Sequence, residues 1–78
     1  MLLPEQSRAA RGWLGWSQED LAKRANVSLS TVRQFEKGHR TPIKNNIEAM
    51  LRVFEEAGMR MEFDEGGKPS SIRRVQRT

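Results

Sequence analysis

Ser30, Arg33, Gln34 and Lys37 are the residues of this 78-residue chain best suited to chemistry on a partner. On a helix turning about 100° per residue they gather on one side, opposite Val32 and Phe35, with Leu29 on the flank. Side chains of these types match the edges of bases. Arginine forks onto guanine, glutamine onto adenine, and serine meets donors and acceptors alike. Any amphipathic helix turns a polar face to solvent. Here two well-marked caps, a short turn and basic surroundings favour recognition over mere solvation.

Catalysis finds no comparable support. No nucleophile–base pair is suggested and no GxxxxGK[ST] phosphate loop occurs. There is no cysteine, hence no disulfide framework and no thiolate metal site. His39 is the only histidine, and a metal site needs further ligands. We therefore expect no enzyme, no metal and no cofactor.

The reading face needs elements to hold it. Ser17 and Asp20 have the spacing of a capping box, and Trp16 and Leu21 that of a hydrophobic staple, which predicts a helix over 17–25. Ser28 with Val27 and Val32 repeats that grammar, which predicts a second helix over 28–37 stopped by Gly38. Asn26 lies between them and tolerates a left-handed turn.

A first helix is expected from Met1 to Gly15, with Pro4 and Glu5 in its opening turn. Leu3, Ser7, Ala10 and Leu14 make a weak apolar stripe, and Trp13 reads as a partly buried packing residue. A fourth helix follows Pro42 to about Ala57, with Ile43, Ile47, Met50, Leu51, Phe54 and Ala57 on its stripe. Arg40 and Lys44 are phosphate candidates beside it.

Beyond Gly58 the period changes. Met59, Met61 and Phe63 alternate with Arg60, Glu62 and Asp64, which predicts a strand. Residues 64–71 have loop chemistry. Ile72 to Val75 can form a second strand, with Arg73 and Arg74 facing Glu62 and Asp64. A hairpin, a strand paired across a dimer axis and a disordered basic tail after Gly67 all fit.

Charge is zoned. Residues 1–44 hold eight basic and four acidic groups, residues 45–66 two and six, and residues 67–78 four and none. The two basic zones suit a polyanion. The longest apolar runs are only a few residues, so we expect no membrane span and a cytoplasmic protein.

Gln18, Leu21-Ala22, Ala25, Val27, Ser28, Val32, Phe35-Glu36, Gly38 and Pro42 together resemble the Cro/Xre-type family, the lambda-repressor-like helix-turn-helix proteins. The resemblance covers residues 5 to about 57. It departs at Asn26, where the family usually has glycine, and at Leu29, often polar in relatives. It implies a mainly α, compact four-helix domain over 1–57 with its motif at 17–38. A C-terminal arm follows over 58–78 as a short strand, hairpin or tail.

The resemblance also implies roles. The helix over 28–37 enters the major groove of double-stranded DNA, so Leu29, Ser30, Arg33 and Gln34 become base readers. Ser17, Gln18, Ser28, Thr31 and Lys37 join Arg40 and Lys44 as phosphate contacts, and Arg11 pairs with Glu36 as a structural ion pair. The function implied is a homodimeric repressor at an inverted-repeat operator. Val53, beside the stripe of the fourth helix, and Met59, Met61 and Phe63, which have no obvious helix to cover them, are the expected dimer interface. The alternative is an antitoxin or antiactivator whose arm binds a protein partner by strand addition.

Overall fold

The structure, a computed structural model, describes residues 2–75. The helix start expected at Met1 and the end of the basic tail, residues 76–78, lie outside the described residues. Four helices are followed by two strands: α1 Pro4–Leu14, α2 Gln18–Ala25, α3 Leu29–Glu36, α4 Lys44–Glu56, β1 Met59–Phe63 and β2 Pro69–Arg74.

Local chemistry fixes the helix ends. The Asp20 amide donates to Ser17 Oγ and the Ser17 amide to Asp20 Oδ2, each at 2.9 Å, which closes the capping box of α2. Asn26 then takes φ 56 and ψ 45, the left-handed turn, and the Val27 amide bonds back to the Ala22 carbonyl at 3.0 Å. Ser28 Oγ accepts from the Thr31 amide at 3.0 Å to start α3. Gly38, at φ 75, ends it. The α1 cap is indirect: the Leu3 amide donates to Gln6 Oε1 at 3.0 Å.

These caps aim the apolar stripes at one core. Leu2, Ala10, Leu21, Ala22, Ala25, Val32, Phe35, Met50, Phe54 and Met59 are buried together. Burying each of the larger side chains contributes roughly 1.5–3 kcal/mol. α2 packs on both α3 and α4, and α1 packs on α3. The small Ala22 and Ala25 allow those approaches.

Several expectations are corrected. Trp16, which packs against the core that holds Leu21, makes contacts the sequence did not suggest. It stacks on Phe54 at 5.7 Å between centroids, and the Arg24 guanidinium lies 4.3 Å over its ring. Trp13 is 51% exposed because the buried face of α1 runs through Gln6, Ser7 and Ala10 instead. Ile43 precedes α4 and is 68% exposed, so it leaves the apolar stripe. Leu2 is buried although no periodicity pointed to it.

The C-terminal segment is an antiparallel hairpin within the chain. Met61 pairs with Ile72 and Arg60 with Arg73, and the register slips between Glu62 and Phe63. β2 begins at Pro69, earlier than the expected Ile72, because Asp64 builds the connection. Its Oδ1 accepts from the Gly66 and Lys68 amides, both at 2.9 Å. One sheet face carries Arg60, Glu62, Ser71 and Arg73; Glu62 takes a hydrogen bond from Ser71 at 2.7 Å and lies 3.7 Å from Arg73. The other face carries Met59, Met61 and Ile72 against the helices. Met59 is wholly buried in the core of its own chain, so it has no surface to offer a dimer.

Candidate nucleic-acid interface

α3 is built from its buried side outward. Val32, Phe35 and Glu36 are buried, and Ser30, Arg33 and Gln34 are exposed on the same eight-residue helix. Lys37 follows in the cap, also exposed. The structure therefore puts these four polar side chains on solvent, as the periodicity requires. Leu29 differs. It is half-buried and packs against the core, which leaves only part of its surface for a base.

A buried carboxylate anchors the helix. Glu36 has a side chain 1% exposed, and Arg11, 18% exposed, meets it at 2.7 Å. Arg11 Nε also donates to Glu36 Oε2 at 2.9 Å. Ser7 Oγ donates to Oε2, and Gln18 Nε2 to Oε1 at 3.1 Å. Arg8 adds a hydrogen bond to the Glu36 main-chain carbonyl. Burial alone would push the Glu36 carboxyl up. Hydrogen bonds from Arg11, Ser7 and Gln18, with the Arg11 charge, outweigh it and hold the group below its ordinary value. The same carboxylate raises Arg11. One side chain thus ties α1 and α2 to the end of α3.

The candidate phosphate residues divide by present engagement. Ser17 and Ser28 spend their hydroxyls on caps, and the Thr31 and Ser28 hydroxyls lie 2.7 Å apart. Gln18 is held by Glu36, at the start of α2 where main-chain amides point outward. Lys44 lies 3.8 Å from Glu48 on an exposed stretch of α4. Arg33, Lys37 and Arg40 stand exposed.

A groove beside α3 joins two of the base-reading candidates to the loop before α4. Ser30, Thr31, Gln34 and Arg40 line it together with Ile43 and Asn46. Sequence reasoning missed the last two, and also Ser7 at the carboxylate and Arg8 at the main-chain carbonyl of Glu36. Ser7 was counted toward an apolar stripe, and only its three-dimensional place opposite Glu36 makes it a hydrogen-bond donor. Among the described residues no cluster of histidine, cysteine, aspartate or glutamate could hold a metal ion. Among them, too, no helix is long and apolar enough to cross a membrane.

Among known families, a model described as helix-turn-helix matches residues 8–57. That span runs from within α1 to the end of α4 and takes in both capped helices and the turn at Asn26. None of the curated proteins matches the chain.

Proposed function

The chain belongs to the Cro/C1-type helix-turn-helix family of DNA-binding regulators, and from that premise we propose a dimeric, sequence-specific repressor. It reads an inverted-repeat operator by laying α3 in the major groove. The observation that supports this reading is the exposed row Ser30, Arg33, Gln34 and Lys37 on a helix anchored from behind by Glu36. A recognition surface needs side chains free to meet bases and a backbone that does not move when they do.

Arg33 and Gln34 carry most of the base reading, with Ser30 beside them and Leu29 as a marginal apolar contact. Lys37, Arg40 and Lys44 meet phosphates, and Ser17, Gln18, Ser28 and Thr31 frame the backbone contacts at the starts of α2 and α3. Residues 1–57 are the DNA-binding unit. Residues 58–78 serve assembly, and with Met59 committed to the core the interface falls to Val53, Met61 and Phe63.

Selection of bound sequences from random duplex DNA tests the reading. Arg33→Ala and Gln34→Ala should each cost about 1–3 kcal/mol at the selected site and little on random DNA. Lys37→Ala or Arg40→Ala should weaken all sequences nearly alike and flatten the salt dependence. A uniform loss from all four substitutions would show that the base readers lie elsewhere.

A further inference from the structure

We propose that Ile43 is an apolar specificity contact that covers the 5-methyl group of a thymine in the major groove, beside the base pair read by Gln34. The inference rests on the reading that α3 enters that groove.

Ile43 breaks two local rules at once. It holds the N-cap position of α4, where serine, threonine, asparagine and aspartate are preferred and isoleucine is among the poorest choices. No side chain caps this helix, and its first turn contains no acidic residue. Ile43 is also the most exposed of the large apolar side chains among the described residues, at 68%. A serine here would cap the helix and remove apolar surface from water. Local conflicts of this kind, in a chain whose α2 and α3 both start on a serine cap, mark places where something other than folding chose the residue.

The surroundings say what that something is. Ile43 lines one groove with Ser30, Gln34 and Arg40, two base-reading candidates and a phosphate candidate. Its position is fixed rather than loose. The Ile43 carbonyl accepts from the Asn46 and Ile47 amides at 3.0 and 3.2 Å, so the side chain is carried on the first turn of a helix. Glutamine pairs with adenine through N6 and N7, and the thymine opposite adenine bears the one apolar group on the major-groove edge. An isoleucine in the wall next to Gln34 is the matching surface for that methyl.

The test uses the full chain and the duplex selected from random DNA. Each thymine in it is replaced singly by uracil, which removes only the methyl. Losing one buried methyl corresponds to about fourfold in affinity. The wild-type chain should show that loss at one A·T pair in each half-site, at or next to the pair whose preference Gln34→Ala relaxes. Ile43→Ser should bind the thymine and uracil duplexes alike. It should also melt no lower than wild type, because serine is the better cap. The proposal is overturned if Ile43→Ser keeps the methyl sensitivity, or if wild type selects a sequence yet ignores every thymine methyl in it. A wild-type chain that selects no sequence would instead remove the operator-reading function itself, and this contact with it.

Discussion

Glu36 is the residue on which the helix pair and its neighbours converge, and its partners set the consequences of losing it. Arg11→Ala leaves a buried carboxylate with its main counter-charge gone, which should cost about 3–5 kcal/mol in urea unfolding. Replacing Arg11 and Glu36 together by apolar residues of similar size should cost less than either single change, since no charge is then stranded. Equal additivity of the two single losses would contradict this. Acid adds a second check. The folded carboxyl sits below its ordinary value of 4.5, so the unfolded chain binds a proton first as pH falls. Stability from this site is complete above that value, begins to drop below about pH 4.5, and is gone once the folded carboxyl is itself protonated. Glu36→Gln should be less stable at neutral pH and lose less on acidification; an unchanged acid slope would mean other carboxylates carry it. The Arg11–Glu36 pair was legible only through family resemblance. Nothing in the spacing of Ser7 and Gln18 announces that they meet the same carboxylate, or that Arg8 reaches the main-chain carbonyl of that residue, because the meeting depends on how α1 and α2 cross.

The elements were legible where capping and periodicity agree. Ser17 with Asp20, Asn26 and Ser28 define α2, the turn and α3 from local chemistry alone, and the structure keeps those positions to within a residue. The hairpin was less legible. Its first strand alternates, but Pro69, Ser70 and Ser71 lack any apolar period, and the Asp64 side chain supplies turn bonds that composition cannot reveal. Two glycines separate these regimes experimentally. Gly58, at φ +91, joins α4 to β1, and a Cβ there would come within 2.6 Å of the Val75 carbonyl oxygen. Gly58→Ala should therefore destabilise by about 1–3 kcal/mol and open the hairpin end, where the Val75 amide bonds to the Gly58 carbonyl. Gly12 lies within α1 with nothing within 4 Å of an added Cβ. Gly12→Ala should stabilise by about 0.5–1 kcal/mol. Thermal melts of the two variants shifting in the same direction would refute this account of the turn.

At the scale of the whole molecule, reach argues for a second copy. α3 is eight residues long, about 12 Å at 1.5 Å per residue, so one chain spans only a few base pairs. The chain also closes only part of its apolar supply. Met59 is consumed by the core, while Val53, Met61 and Phe63 remain half-buried. Phe63 is the informative one. Val53 and Met61 pack against the core, but Phe63 lies outside that cluster, at the register slip of the hairpin. A charge at Phe63 should therefore spare the monomer fold and act on assembly. We expect sedimentation equilibrium at micromolar concentration to show a dimer, and Phe63→Glu to shift it toward monomer without lowering its melting temperature by more than a few degrees. In the dimer the two α3 helices should stand roughly 34 Å apart, one turn of B-DNA, and selected sites should be inverted repeats. The acidic stretch 45–66 is then expected to face away from the phosphates, and the salt slope of the dimer should be about twice that of Phe63→Glu on a half-site, since twice the counterions are released. A wild-type monomer that binds a single unrepeated half-site with full affinity would rule the dimer out and leave Phe63 as a residue that only caps the end of its own sheet.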